Sequence, residues 1–393
     1  MDIFPLDIFK EIFLLGNFLT KIRLRQACKF LFNNLNIIDF CYIETKYLKR
    51  LTEDILKNYK FIKYLNVSNN PNITCLKFMS NLKILNAYDN PKITDISFMK
   101  TLKELNAGGD CGIDQLGISG LNLTELSAFN NPKIKDVSFM TNLKELNAGG
   151  DCGIDQKGIS GLNLTKLSAW RNSKIIDVSW MKNLKELDAD GNCGIDQSGI
   201  KGLDLIKLDV WNNKKIIDVN FMKNLKELDA SNNSGIDQLG INELNLTKLN
   251  VWNNIKINNV SFMLNLKELA ASGNSGINQV GINGLDLIKL NVRNNIKINN
   301  VSFMLNLKEL VASGNSGIDQ IGINGLDLIK LNVCDNIKIN NVSFMLNLKE
   351  LVASGNSGID QIGINGLDLI KLNAKSNKKI DFSFMSNLKE FIK

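Results

Sequence analysis

A block of 41 residues recurs along most of this chain and constrains its fold more than any other feature. One copy runs from Leu102 to Asn142, and it divides into similar halves that open at Leu102 and Leu123. Recurrence at about 20 residues predicts a solenoid, in which each half-repeat forms one rung and stacked rungs bury a shared core. The opening leucine of the block recurs at Leu143, Leu184, Leu225, Leu266, Leu307 and Leu348.

The half-repeat reads Leu-x-x-Leu-x-(Ala/Val)-x-x-(Asn/Asp), and an isoleucine follows three residues later. In the rung that opens at Leu123, Leu126 and Ala128 alternate with Glu125 and Ser127, which predicts a half-buried strand. The polar residue at the ninth place is expected to hydrogen-bond backbone groups of the turn that no strand reaches. That place holds Asn90, Asp110, Asn131, Asp151, Asn172 and Asn192.

This pattern resembles the leucine-rich repeat, and its 20-residue form is similar to the short repeats of internalins. The resemblance implies an α/β solenoid with a parallel β-sheet on the concave side, where these families hold a protein ligand. Twenty residues leave no room for a full helix on the outer side, so we expect 3₁₀ turns or extended chain there. We count seventeen rungs and place the solenoid at residues 62–393.

Residues 1–36 have a different pattern, with apolar residues at helical spacing, a suitable helix start at Pro5 and a break at Gly16-Asn17. The order of Pro, Ile-x-x-x-Ile-Phe, a break and Ile-Arg-Leu-Arg-Gln-Ala-Cys-Lys-Phe resembles the F-box. In that family the apolar positions dock on the small Skp-type adaptor of a cullin ubiquitin ligase. The adaptor-binding positions carried over are Pro5, Ile8, Ile12, Phe13, Leu24, Cys28 and Phe32. The alternative is that these helices only cap the open end of the solenoid.

Residues 37–61 are expected to form a helical N-terminal cap. Thr52 is a suitable N-cap residue, and Glu53 and Asp54 would lie at the positive end of the helix dipole. Because no Pro-, Gly- or Ser-rich linker separates this segment from the first rung, we expect the two to be packed together.

The third place of the rungs, which faces outwards on the predicted concave sheet, alternates between Glu and Lys from Glu145 onwards. Opposite charges on neighbouring strands balance one another, and each pair contributes only about 0.2–1 kcal/mol. The alternation fails at Glu104, Glu125 and Glu145, which predicts three stacked carboxylates and a locally acidic N-terminal third.

From Tyr88 to Trp252 the seventh place carries a large aromatic residue in every second rung and a small or polar residue between, and beyond Trp252 the aromatic column ends. We expect these side chains to form a concave stripe of rings roughly 10 Å apart at the strand ends. One interpretation is a target-binding surface, because aromatic residues dominate interface hot spots. The other is that duplication copied one tolerated aromatic, with each ring resting on its small neighbours. The stripe consists of Tyr88, Phe129, Trp170, Trp211 and Trp252, whereas Trp180 replaces a phenylalanine that we expect in the core.

Composition excludes several classes of function. The chain has 47 Lys+Arg against 40 Asp+Glu, without the one-sided excess that nucleic-acid binding needs. It has no histidine, the commonest general base and metal ligand. The repeated Asp114 and Asp155 are two rungs apart, too far to share a metal ion. We therefore expect no catalytic site, no cofactor and no metal.

The seven cysteines form no cysteine-rich cap, which favours a reducing compartment. No stretch approaches the ~20 apolar residues of a membrane span, so we expect a cytoplasmic protein without a membrane partner.

The sequence stops within the strand of a last rung. Exposed core residues there predict end-to-end self-association. These residues are Phe382, Phe384, Leu388 and Phe391.

The sequence thus predicts a binding protein with no catalysis of its own. The leading hypothesis is a substrate-recruiting F-box subunit of a cullin-type ubiquitin ligase, with a Skp-type adaptor on residues 1–36 and a protein target on the concave face. The alternative is a stand-alone repeat scaffold whose first 60 residues are only a cap.

Overall fold

A computed structural model describes residues 18–27, 29, 31, 36–41, 45–59, 61–381 and 387–392. The chain divides into two compact units, residues 1–184 and 185–393. None of the helices in the described ranges is long and apolar enough to cross a membrane.

Unit 1 begins with short helices that lead into the first rung. Thr52 caps the third helix as predicted, since its hydroxyl oxygen accepts a hydrogen bond from the Ile55 N–H at 3.3 Å. The side-chain amide of Asn70 donates to the carbonyl oxygens of Leu48 at 2.7 Å and Leu51 at 2.9 Å, so the segment packs on the first rung. The elements are α1 (Phe18–Ala27), β1 (Asp39–Phe40), α2 (Thr45–Leu48) and α3 (Glu53–Lys57).

The rest of unit 1 is a parallel sheet in which each strand contributes three residues. The middle residue is buried and its two neighbours face outwards, as in β5, where Leu126 is 2% exposed between Glu125 and Ser127. Strand β1 pairs with β2, and neighbouring strands pair in sequence order up to β7. The strands are β2 (Tyr64–Asn66), β3 (Ile84–Asn86), β4 (Glu104–Asn106), β5 (Glu125–Ser127), β6 (Glu145–Asn147) and β7 (Lys166–Ser168).

Unit 2 continues the same design with parallel strands paired in sequence order. In β18 the middle residue Phe391 is half-buried, whereas Leu372 in β17 is 1% exposed. Phe382 and Phe384 lie outside the described residues. The strands are β8 (Glu186–Asp188), β9 (Lys207–Asp209), β10 (Glu227–Asp229), β11 (Lys248–Asn250), β12 (Glu268–Ala270), β13 (Lys289–Asn291), β14 (Glu309–Val311), β15 (Lys330–Asn332), β16 (Glu350–Val352), β17 (Lys371–Asn373) and β18 (Glu390–Ile392).

The outer side carries short 3₁₀ turns and extended chain, as predicted. At the first of these turns the Asp155 carboxylate accepts a hydrogen bond from the Gly158 N–H at 2.9 Å. Gly158 is required there, because a Cβ atom would lie 2.1 Å from the carbonyl oxygen of Lys135. The turns span Lys157–Ile159, Ser198–Ile200, Leu239–Ile241, Val280–Ile282, Ile321–Ile323 and Ile362–Ile364.

The ninth-place prediction is right for the shorter rungs and wrong for the rungs of 21 residues. Asn172 is 1% exposed, and its amide donates to the carbonyl oxygens of Ala148 at 2.7 Å and Ile154 at 3.0 Å. Asp151, at the same place one rung earlier, is exposed. That rung is one residue longer, and the tenth residue, Cys152, takes the interior position instead. Asp110 and Asn192 are exposed for the same reason, next to buried Cys111 and Cys193.

The expected core position of Trp180 is wrong. Val178 and Met181 fill the interior on either side, and Trp180 lies outside with 37% of its surface exposed. Its indole N–H donates to the carbonyl oxygen of Leu162 at 3.1 Å, which fixes the ring against the neighbouring rung.

Candidate functional site

The sheet face of unit 2 carries the predicted ladder of alternating charges at the third place. Glu268 lies between Lys248 and Lys289, with nitrogen–oxygen distances of 3.5 and 3.7 Å. These side chains are between a third and slightly more than half exposed, so each pair contributes little. The third- and fifth-place residues of β9 to β14 line an open groove of about 510 Å³. The walls of the groove are mostly apolar, and three lysines and five carboxylates line it.

The sheet face of unit 1 has a different electrostatic character. The register places Glu125 directly opposite Glu104 on one side and Glu145 on the other. Burial raises the pKa of the Glu125 carboxyl, the two neighbouring carboxylates raise it further, and Lys166 lowers it. The predicted stack of three carboxylates is confirmed, and it lines a groove of about 310 Å³ between β3 and β7.

A second carboxylate cluster lies in unit 2, and the sequence pattern did not predict it. Oxygen atoms of Asp188, Asp190 and Asp209 all lie within 4.8 Å of one another. The pKa of Asp209 is raised to about 7, mainly because the carboxyl group is buried and also because Asp229 and Asp188 carry like charges nearby. Carboxylate oxygens are the ligands of hard cations such as Ca²⁺, and these three residues could hold one. The signal in the sequence was Asp at the fifth place of successive rungs (Asp188 and Asp209), where Asn or Ser is usual, together with Asp190 at the seventh place.

The aromatic side chains of unit 1 lie closer together than predicted. The ring centroids of Phe129 and Trp170 are 5.5 Å apart and the rings are stacked, so the expected spacing of roughly 10 Å is wrong here. The rings lean towards each other across Gly149, where a Cβ atom would lie 3.4 Å from Phe129 Cδ2. Both rings remain half-exposed, and the Arg171 guanidinium lies 4.7 Å from the Trp170 centroid.

The remaining aromatic residues of the stripe also lie at strand ends. Tyr88 is half-exposed beside Gly108, where a Cβ atom would lie 3.2 Å from Tyr88 Cδ2. In unit 2, Trp211 is half-exposed and its backbone N–H donates to the Asp209 carboxylate at 3.0 Å. Trp252 is 42% exposed, and together with Arg293 it lines an open pocket of about 480 Å³.

The buried cysteines are poor nucleophiles. Burial raises the pKa of the Cys152 thiol to about 11 and that of Cys193 to about 12. Thiols with such pKa values stay protonated near neutral pH, and the thiolate is the reactive form. These side chains fill the core of their rungs.

The adaptor-binding residues fall mostly outside the described part of the chain. Leu24 lies in α1 and is half-buried. Next to it, Arg25 is 8% exposed, and its guanidinium lies 5.2 Å from the centroid of the Tyr59 ring, so α1 contacts the segment before the first rung. The others, outside the described residues, are Pro5, Ile8, Ile12, Phe13, Cys28 and Phe32.

Comparison with known proteins identifies the fold. No family model matches the sequence, and no curated protein matches it. The TLR13 chain of a complex with single-stranded RNA has 17% identity and a TM-score of 0.54, with 86% of this chain and 64% of that one covered. This chain therefore spans less than two thirds of the length of that relative.

Two bacterial proteins are also similar. The internalin InlF from Listeria monocytogenes has 18% identity and a TM-score of 0.35, over 80% of this chain and 81% of that one. A leucine-rich-repeat protein from Leptospira interrogans has 17% identity and a TM-score of 0.37, over 95% and 98%. At these identities the comparison concerns the fold alone. The leucine-rich repeat of this chain and its succession of short parallel strands, one per rung, make the fold a leucine-rich-repeat solenoid.

Proposed function

We propose that this leucine-rich-repeat solenoid is a protein-binding module that holds its partner on the concave sheet face. The observation that carries the proposal is the set of aromatic rings left partly exposed at the strand ends, above all the stacked pair Phe129–Trp170 and the 42%-exposed Trp252. Exposed aromatic groups beside an open groove with charged residues along it are the usual composition of an interface hot spot and its rim.

We further propose that residues 1–36 dock a Skp-type adaptor, which makes the chain a substrate-recruiting subunit of a cullin-type ubiquitin ligase in the cytoplasm. The resemblance of the sequence to the F-box supports this assignment. The helix α1 (Phe18–Ala27) also agrees with it, because it carries the Ile-Arg-Leu-Arg part of the motif. The competing proposal is a stand-alone scaffold whose N-terminal helices only cap the solenoid.

Co-purification with a Skp-type adaptor separates these two proposals. The double change Ile12→Asp and Phe13→Asp should abolish adaptor binding and leave the circular dichroism of the solenoid unchanged. If the wild-type chain binds no such adaptor, the ligase assignment is lost. If the double variant unfolds the repeats, the segment acts as a cap.

The concave face is tested with a target captured by cross-linking in cell extract. Trp211→Ala should weaken binding of that target by roughly 30-fold, because removal of an aromatic hot spot costs about 2 kcal/mol or more. Trp180→Ala is the matched control, since Trp180 is comparably exposed on the outer side of its rung. Equal affinities of the wild type, Trp211→Ala and Trp170→Ala would contradict the proposed surface.

A further inference from the structure

One glutamate departs from the repeat in unit 1. Glu125 occupies the third place of a rung type that carries lysine at this place in all later copies. Its counterparts are Lys166, Lys207, Lys248, Lys289, Lys330 and Lys371. The preceding and following rungs carry Glu104 and Glu145, so a lysine at position 125 would have continued the alternation of charges.

The departure concentrates negative charge on the sheet. Like charges directly opposite each other on neighbouring strands repel and destabilise the pair. In unit 2, Glu268 (the counterpart of Glu145 in the repeat) forms ion pairs with lysines on both sides. Glu125 instead faces Glu104 and Glu145, which raise the pKa of its carboxyl group, whereas Lys166 lowers it. A bound positive charge would relieve this repulsion.

The same rung also carries an aromatic surface for a cationic side chain. Phe129 lies four residues after Glu125 and is stacked on Trp170. The guanidinium of Arg171 lies 4.7 Å from the Trp170 centroid, so this ring already takes part in a cation–π contact. Glu125 and Phe129 are therefore displayed on one strand and its end, with the other two carboxylates on the neighbouring strands. An extended peptide can bridge this spacing.

We propose that Glu104, Glu125 and Glu145, together with the Phe129–Trp170 pair, form a docking surface for an extended, arginine- or lysine-rich segment of a protein partner. This inference rests on the proposed function and specifies the chemistry of the partner. The chain as a whole has a formal net charge of +7 and repels basic ligands. Attraction of a basic segment must therefore arise locally, on this acidic face.

The probe is a fluorescein-labelled peptide of alternating arginine and serine, titrated with the full-length chain by fluorescence anisotropy at low and at physiological salt. Glu125→Gln should weaken binding by about 3-fold and Glu125→Lys by about 10-fold. Glu125→Lys restores the Glu-Lys-Glu alternation seen in unit 2, so we expect it to fold at least as stably as the wild type. Glu268→Gln makes the same chemical change in a neutralised position and should alter affinity by less than about 2-fold.

Three results would overturn the docking surface. They are absence of peptide binding by the wild type, equal losses in Glu125→Gln and Glu268→Gln, and equal binding of a glutamate–serine peptide. The outcome is separable from that of the proposed function. A captured target that is lost on Trp211→Ala but unaffected by Glu125→Lys would retain the concave binding face and reject the basic segment as its ligand.

Discussion

The side chain of Asp209 lies in an unusual electrostatic environment. Asp209 is the fifth residue of its rung and the last residue of β9. It pairs with Asp188 on one neighbouring strand and with Asp229 on the other. Its hydrogen bond from the Trp211 N–H and the charge of Lys207 favour the carboxylate, but burial and the two like charges favour the neutral acid. The pKa of Asp209 is therefore raised from its ordinary value of 3.8 to about 7.

This shift predicts a pH-dependent stability. The folded state binds the Asp209 proton more tightly than the unfolded chain, so the contribution of Asp209 to the free energy of unfolding falls between about pH 4 and pH 7. Asp209→Asn should raise that free energy by about 1–3 kcal/mol at pH 8 and change it little near pH 4. Asparagine keeps the backbone hydrogen bond, as Asn250 does with the Trp252 N–H at 3.1 Å.

Urea unfolding of the variant and the wild type across this pH range measures the effect. Glu268→Gln serves as control, because Glu268 forms ion pairs with lysines on both sides and its removal should not stabilise the chain at pH 8. A difference between Asp209→Asn and the wild type that stays constant with pH would contradict the assignment.

At the scale of the rung, side-chain amides replace the hydrogen bonds that short strands leave unmade. Asn172 bridges to the carbonyls of Ala148 and Ile154, and its oxygen accepts the Lys174 N–H at 2.9 Å. Gln156 acts in the same way on the outer side. Its amide donates to the carbonyl oxygen of Asp177 at 2.9 Å, and its oxygen accepts the N–H of Ile176 and of Asp177.

Asn172→Ala should therefore destabilise the solenoid by about 2–4 kcal/mol, since it leaves two carbonyls and one N–H without partners in the core. Asp151→Ala, at the same place of an adjacent rung but exposed, should change stability by less than about 0.5 kcal/mol. Urea unfolding followed by circular dichroism compares the two. Equal losses of unfolding free energy in the two variants would contradict the proposed stabilising role of the buried Asn172 amide.

The repeat pattern predicted the strands and their pairing, but it did not predict the direction of every side chain. Strand register and the Glu125 stack were predictable, because a strict period fixes which residues meet. Burial of Asn172 but not Asp151 was not predicted, because one extra residue per rung changes which position points inwards. The stacking of Phe129 on Trp170 depends on rotamers and on the missing side chain of Gly149, which a period does not specify.

At the scale of the whole molecule, the later copies of the repeat expose large aliphatic residues where earlier copies are polar. Leu264, Leu305 and Leu346 are each 69–70% exposed on the outer side of unit 2. The same place in earlier copies holds Thr141, Lys182 and Lys223. Residues two rungs apart lie roughly 10 Å from each other, so these leucines form a column of exposed apolar surface.

We expect this column to drive association between molecules at high concentration. Changing Leu264, Leu305 and Leu346 together to lysine should reduce the associated fraction in sedimentation velocity without loss of the fold, because lysine already occupies this place at Lys182 and Lys223. Leu116→Lys removes an isolated leucine that is 79% exposed, and we expect no effect from it. Self-association unchanged in the triple variant but abolished by Phe391→Lys would instead assign the contact to β18, the end-to-end arrangement expected from the sequence.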